Sequence, residues 1–315
     1  MGYDVIGDLH GQGGKLEALL RKLGYVRRAT SWVPPQGRQA VFIGDLIDQG
    51  PDQVEVVDAV RRMIDCGHAR AIMGNHEFNA IGFATENPDA PGQYLRGHSK
   101  TNIDQHKEFL RQVGQGSELH RDMVKWFKTL PPTLDLVGIR AVHAWWHQPY
   151  VDLVAGRLSD GDPMDDDFLM AAYRRNSDEC RAIEGLTKGL ELTLPNGASF
   201  FDHKGVERRE VRTKWWHENA QSIRDVAILK DDQSHLVPPI PLPSDYAGKP
   251  VEGSPVFVGH YWCSGKPELQ SPKVACVDYG AAGAGALVCY RWSGEQNLDA
   301  INFVQAGGTG CVEKG

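Results

Sequence analysis

The chain has 315 residues, is 41% hydrophobic and 24% charged, and carries a formal charge of -7 at pH 7. That is the make-up of a folded globular protein, and its acidic balance argues against a nucleic-acid binder held by bulk electrostatics. No run approaches the roughly 18 apolar residues of a membrane span, no signal-like segment opens the sequence, and six scattered cysteines form no C-x-x-C pair, so reduced, mostly buried thiols in a cytoplasmic protein are expected.

In chain order, "YDVIGD" is a strand candidate, and residues 14–23 place Leu16, Leu19, Leu20 and Leu23 on one helical face. The intervening "VIGDLHGQGGKL" looks like a phosphate-binding loop, but a P-loop needs G-x-x-x-x-G-K-[ST]. With Gly14 and Lys15 aligned to its GK, Leu9 stands at the first glycine and Leu16 at the metal-binding hydroxyl. A dinucleotide fingerprint starting at Gly11 fails at Leu16 as well. The glycines therefore predict a tight turn into a helix, with Lys15 facing solvent. Asp8 and His10 need their own explanation, an N-cap role for Asp8 being the plain one.

"QAVFIGD" predicts a buried strand, residues 52–64 a helix through Val56, Val57, Val60 and Ile64, and "ARAIMGNHE" a third strand ending in a turn. This βαβα rhythm predicts a parallel or mixed sheet with its loops at one strand end. Residues 84–132 start polar and become helical over 104–129, and "IRAVHAWW" returns as a strand. Residues 147–250 are the least regular, acidic at "SDGDPMDDD" and proline-rich at "LVPPIPLPSDY". They are expected to form an insertion or cap over the active face of a single domain spanning 1–315. The end is β-like, with "PVFVGHYW", "KVACVDYG" and "ALVCYRW", and "GAAGAG" is expected to be a hairpin turn between the last two.

Three strand candidates end alike, in Gly7-Asp8-Leu9-His10, Gly44-Asp45-Leu46-Ile47-Asp48 and Gly74-Asn75-His76-Glu77, and later ones end at His143 and at Gly259-His260. Ligands of open α/β sheets bind outside the carboxyl ends of the strands, so five strands deliver carboxylate, amide and imidazole groups to one edge. A glycine before four of these groups is expected to let the chain turn sharply. Oxygen donors mixed with imidazoles suit divalent first-row metals, and a central carboxylate can bridge two ions about 3.5–4 Å apart.

"GDLHG", "GDLIDQG", "GNHE", "VH" and "GHYW", in this order, resemble the calcineurin-like metallophosphoesterases, with a pattern closest to the PPP-type phosphatases and the bacterial PrpE/ApaH-like enzymes. The resemblance implies a four-layer αββα sandwich of two mixed β-sheets flanked by helices. It implies one metal held by Asp8, His10 and Asp45 and a second held by Asp45, Asn75, His143 and His260. Manganese is the first expectation, with iron, zinc, nickel or cobalt as alternatives. A hydroxide between the ions would attack phosphorus in line, with His76 as general acid oriented by Asp48. Where the PPP signature has Asp-Arg-Gly, this chain has Asp48-Gln49-Gly50, so the phosphate-clamping arginine is missing; where other branches end in G-H-x-H, it has Trp262.

The expected function is a dimetal phosphohydrolase acting on a phosphomonoester or a Ser/Thr phosphoprotein. A dinucleoside polyphosphate hydrolase or a phosphodiesterase is the alternative, and a metal-dependent binding or scaffold protein the non-enzyme one. The expected partners are a phosphorylated small molecule, a nucleotide or a phosphoprotein, without bulk nucleic acid or membrane. Arg212 is the candidate for the missing clamp, with Arg96 and Lys204 behind it, and "HSKTN" (98–102) is a candidate to approach substrate. Glu77 is expected to serve structure. His68, His106, His120, His147, His203 and His217 are expected at the solvated surface. Trp145, Trp146, Trp215 and Trp216 are expected in the core or pocket wall, with base stacking as the alternative.

Overall fold

The computed structural model describes residues 1–158, 162–201 and 205–308. His203 and Lys204, named above, the cysteine at Cys311, and residues 159–161 of the acidic run lie outside the described residues.

Strand β1 (Gly2–Ile6) turns into helix α1 (Gly13–Lys22), and β2 (Arg38–Phe42) leads to α2 (Gln53–Asp65). β3 (Ala69–Ala71) is followed at once by α3 (Asn75–Ala84), then by α4 (Lys100–Val113) and α5 (Glu118–Phe127). β4 (Thr133–Leu136) and β5 (Ile139–Val142) form an antiparallel pair, succeeded by α6 (Gln148–Ala155), α7 (Asp166–Tyr173) and α8 (Asp178–Lys188). β6 (Val256–Val258), β7 (Val274–Cys276), β8 (Leu287–Trp292) and β9 (Phe303–Ala306) complete two main sheets, ordered β9-β8-β1-β2-β3 and β7-β6-β5-β4. Both are mixed: β1, β2 and β3 run parallel, β8 pairs antiparallel to β1 and β9 antiparallel to β8, and β5, β6 and β7 run parallel with β4 antiparallel.

Strand alternation builds the layers. Val5, Val41 and Ile43 point between the sheets and meet Ala141, Phe257 and Ala275 of the second one. Their neighbours Ile6, Ala40 and Phe42 join Leu16, Leu19, Leu20, Val56 and Val60 of the helices. The other face of the second sheet, with Val142, Val256, Val258 and Cys276, belongs to the cluster containing Phe168, Ile183 and Leu186. Fully burying a side chain such as Phe42 is worth about 1.5–3 kcal/mol, so period-two patterning on both faces holds the expected αββα order.

Several local expectations need correction. Residues 104–129 are not one helix: α4 and α5 are separated at Gly114 and Gly116, both with positive φ, and Ser117 caps α5 by accepting from the His120 backbone N–H. Asp8 does not cap α1, whose N-cap is Gln12. "GAAGAG" is not a hairpin turn, because β7 and β8 lie in different sheets. Lys15 does not simply face solvent; its Nζ donates to the carbonyls of Ala281, Gly283 and Gly285 in that loop at 2.6–2.9 Å, tying α1 to it. Among the described cysteines none is in a disulfide, but only Cys276 and Cys289 are buried; Cys66 is exposed. Among the described residues no helix is long and apolar enough to cross a membrane.

Candidate metal centre

The register of the first sheet sets the site. Ile6 pairs with Phe42 and Phe42 with Ala71, so the segments after β1, β2 and β3 leave the sheet at the same edge. The second sheet presents its own edge alongside: β5 and β6 are parallel, and the Gly259 N–H donates to the His143 carbonyl at 2.9 Å. Asp45 is the meeting point. Its Oδ2 lies 3.3 Å from His143 Nε2, 3.7 Å from His10 Nε2 and 3.8 Å from His76 Nε2. Asn75 Oδ1 is 3.3 Å from the same His143 nitrogen.

The glycines of these motifs act mostly through close approach rather than through turning. Of the four glycines that precede a candidate ligand, only Gly44 has a positive φ, +89°. A Cβ on Gly74 would lie 2.2 Å from Asp45 Oδ1, one on Gly259 2.2 Å from Asp8 Oδ1, and one on Gly7 2.0 Å from the Val277 carbonyl oxygen. Positive φ recurs at this edge, at His10, Asp45, Asp48, Gln49, His260 and Trp262, although Ala29, Asn176, Asn196 and Asn219 adopt it elsewhere in the chain. Such conformations persist where surrounding structure over-determines them.

The donor set fits divalent cations. His10 Nδ1 donates to the Ile47 carbonyl at 2.9 Å and His143 Nδ1 to the Ile43 carbonyl at 2.7 Å. A carbonyl only accepts, so each Nδ1 carries the proton and each Nε2 presents a lone pair inward. Asp8 Oδ1, His10 Nε2 and His260 Nε2 are buried with no hydrogen-bond partner, a costly state for polar atoms left without a ligand. Two trios, His10–Asp45–His76 and Asp45–His143–His260, each bring their ligand atoms within 4.8 Å of one another.

The electrostatics agree. Burial, with Asp278 and Asp45 nearby, pushes the Asp8 carboxyl well up. Burial pushes Asp45 up too, but His143, His76 and His10 outweigh it and hold its carboxyl well down. Burial, helped by Arg212 and His143, drives the His260 imidazole well down, leaving it a neutral donor. Buried acids crowded together are a site that cations stabilise.

Asp48 lies between two imidazoles. Its Oδ2 accepts from His76 Nδ1 at 2.5 Å and its Oδ1 from His106 Nδ1 at 2.8 Å. Burial pulls His76 down, but Asp45 and Asp48 outweigh it and raise His76 to about 9. Glu77 serves structure: its carboxylate accepts from the backbone N–H groups of Gly74, Asp45 and Leu46 at 2.8–2.9 Å. Burial and Asp45 push it up to about 7 against the pull of those N–H groups.

Two residues of this constellation escape the sequence reasoning. His106 is buried, not at the surface, because it lies on the inward stripe of α4 with Phe109 and Val113; that spacing was its signal. His120 is likewise buried, with Nδ1 accepting from the Gly116 N–H, whereas His217 is exposed and His68 and His147 are half-buried. Asp278, in "VDYG", is buried and accepts from the Trp262 and Gly280 N–H groups, so it holds the turn that carries His260. An acid two residues past a strand end and two before a glycine was its signal.

Beside these groups lies a cleft of about 610 Å³ whose wall includes Asn75, His76, Gln49, Arg96, Lys188 and Arg212. Arg212 thus stands at the cleft; its Nη2 is 3.5 Å from Glu191 Oε1 and its Nε is buried without a partner. "HSKTN" does not line it: His98 stacks between Phe83 and Tyr94, and Ser99 caps α4. Trp145, Trp146, Trp215 and Trp216 are buried in the core and do not line the cleft, while Trp262 is 55% exposed there.

Residues 1–260 match the family described as calcineurin-like phosphoesterase. The chain belongs to the calcineurin-like phosphoesterase family. Two relatives are bis(5'-nucleosyl)-tetraphosphatases PrpE [asymmetrical]. The one from Anoxybacillus flavithermus is 41% identical over 74 residues, 24% of this chain and 30% of that protein. The one from Bacillus subtilis is 42% identical over 76 residues, 24% of this chain and 31% of that protein. The chain thus spans about a third of the length of the curated relatives it matches. Among solved structures, a protein serine/threonine phosphatase from Saccharomyces cerevisiae is 14% identical, with 97% of this chain and 78% of that chain covered and a TM-score of 0.49. Within the phosphoesterase fold of this chain, the candidate residues from Asp8 to His260 fall in the matched segment and residues 261–315 follow it.

Proposed function

We propose that this phosphoesterase is a metal-dependent phosphohydrolase, with Asp8, His10 and Asp45 holding one divalent cation and Asp45, Asn75, His143 and His260 the other. The observation that carries this is the set of inward, unpartnered atoms around Asp45: Asp8 Oδ1, His10 Nε2 and His260 Nε2, beside His143 Nε2 at 3.3 Å. Bound cations supply Lewis-acid activation of water and neutralise phosphate charge, and manganese is the first choice. Asp45 is the shared ligand. His76 gives its proton to the departing oxygen, Asp48 fixes the ring and stabilises the imidazolium, and Arg212 contacts the phosphate. A positioned proton donor contributes about 10²–10⁴ in rate. Residues 147–250 shape access as a cap, which is supported by Lys188 and Arg212 standing in the cleft wall.

A phosphomonoester or a phosphoprotein is the first substrate class, favoured by a cleft walled by His76 and several cations. A dinucleoside polyphosphate is the second, favoured by the named activity of the relatives that match 24% of this chain. The experiment is to strip the protein with chelator, restore Mn²⁺, Ni²⁺, Co²⁺ or Zn²⁺ in turn, and assay p-nitrophenyl phosphate, its bis ester, a phosphopeptide and diadenosine tetraphosphate. Turnover restored by metal supports a hydrolase and ranks the substrates. If all four stay intact with metal bound, a binding or scaffold role replaces it.

A further inference from the structure

Arg96 lies in the segment between α3 and α4 and lines the cleft with Asn75 and His76. Its guanidinium is held in an unusual way for this protein. Nη1 donates to Asn79 Oδ1, and Nη2 donates to Asn102 Oδ1 at 3.0 Å and to Gln105 Oε1 at 2.8 Å. All three acceptors are neutral amides. Several other arginines meet carboxylates, Arg38 and Arg291 pairing with Asp4, Arg61 with Asp122 and Arg157 with Glu179, and others such as Arg140 and Arg224 donate to backbone carbonyls. Among the described residues no carboxylate forms an ion pair with Arg96. Three of its five N–H donors are occupied, so the group is aimed but keeps its full charge. Two neighbouring cleft cations are partly discharged, Lys188 by Glu184 at 2.5 Å and Arg212 by Glu191 at 3.5 Å, while Lys107 stands in the wall with Asp104 and Glu108.

Burial lowers the Arg96 guanidinium from its ordinary value, so the charge is held at a cost that an anion would relieve. Asn79 joins it to the catalytic helix, since Asn79 follows His76 by three residues on α3 and so shares its face. Gln49, also in the cleft wall, supplies no charge there. We propose that Arg96 is a phosphate-binding residue of the cleft, reached from the α3–α4 connection and preoriented by Asn79, Asn102 and Gln105. This deepens the phosphohydrolase function proposed above and rests on it for the identity of the anion. It selects for substrates presenting a terminal, dianionic phosphate over diesters, because an unneutralised guanidinium gains most from the more highly charged group.

The test is calorimetric binding of inorganic phosphate to the metal-loaded protein, with metal content counted in every sample. Arg96→Gln is expected to weaken phosphate about 10–100-fold, and Arg96→Lys to recover part of that as a point charge. Gln105→Glu keeps the tie to α4 but neutralises the guanidinium. It is expected to weaken phosphate as well, and to add little in the Arg96→Gln background. A structural staple would instead lose thermal stability in Arg96→Gln, keep phosphate affinity within twofold, and gain or hold stability in Gln105→Glu; that outcome overturns the proposal. Turnover separates the two levels. Normal hydrolysis with unchanged phosphate affinity and unchanged KM for p-nitrophenyl phosphate in Arg96→Gln sinks the role of Arg96 alone. Absent turnover in the unmodified protein, with phosphate still lost in Arg96→Gln, sinks the hydrolase assignment alone.

Discussion

His106 donates from Nδ1 to Asp48 Oδ1 at 2.8 Å, on the carboxylate whose other oxygen faces His76. A helix outside the βαβα core thereby sets the rotamer of the group that orients the proposed acid. Asp48→Asn removes a charged acceptor from both imidazoles and should lower kcat about 10²–10⁴-fold, most for poor leaving groups. His106→Ala removes one charge-assisted bond and should cost roughly tenfold. Metal content should stay at the unmodified level in both. Equal losses for good and poor leaving groups would show that the pair does not serve proton donation.

Asp45 is where the two trios of donors join. Asp45→Asn keeps the size but removes the charge and one of the two equivalent oxygens, so both ions should be lost together. Elemental analysis after dialysis against metal is the measurement, with activity falling by at least ~10³-fold on the scale of metal-assisted hydrolysis. Retention of a full metal complement would remove Asp45 from the bridging role.

The convergence of the candidate site was legible because each proposed donor follows a strand within a few residues and the parallel register carries them to one edge; bringing Asp8, Asp45, Asn75 and His143 together needed no tertiary knowledge. Where legibility failed, the cause was local. The run "DDD" at 165–167 suggested irregular chain, yet Asp165 caps α7 by accepting from the Phe168 N–H, and Asp166 and Asp167 favour its positive end. The apolar positions behind it, Phe168, Leu169 and Ala172, are spaced for a helix too short to stand out. The pairing of β7 with β6 rather than β8 depends on which sheet each strand joins, and spacing carries no such information. Arg96 escaped emphasis because its charge matters only once its neighbours prove to be amides.

Glu77 should matter to stability more than to metal binding. Its two oxygens accept three backbone N–H groups, joining the loop after β2 to the start of α3. Glu77→Gln turns one oxygen into a donor facing donors, which should cost about 1–3 kcal/mol. Thermal unfolding should fall by several degrees, since each kcal/mol shifts a domain of this size class by about 2–4 °C. Gln at this position with an unchanged melting temperature would show that the N–H groups find other acceptors.

Gly259 tests whether close approach, rather than turning, is what the motif glycine provides. Its φ is not in the left-handed region, yet a Cβ there would lie 2.2 Å from Asp8 Oδ1 and 3.1 Å from Ile43 Cγ2. Asp8 is also anchored on its other oxygen, which accepts from the His260 N–H at 3.0 Å. A methyl group therefore has to push the carboxylate out of the site while leaving Asp45, Asn75 and His143 in place. Gly259→Ala should lose the ion that Asp8 holds and keep most of the second, with the fold intact by circular dichroism. Metal titration followed by elemental analysis reads the stoichiometry, which should fall from two ions to about one in a two-metal site. Two ions retained at unchanged affinity would mean that Asp8 is not a ligand, and loss of both would mean that the damage reaches Asp45 through the loop of His260.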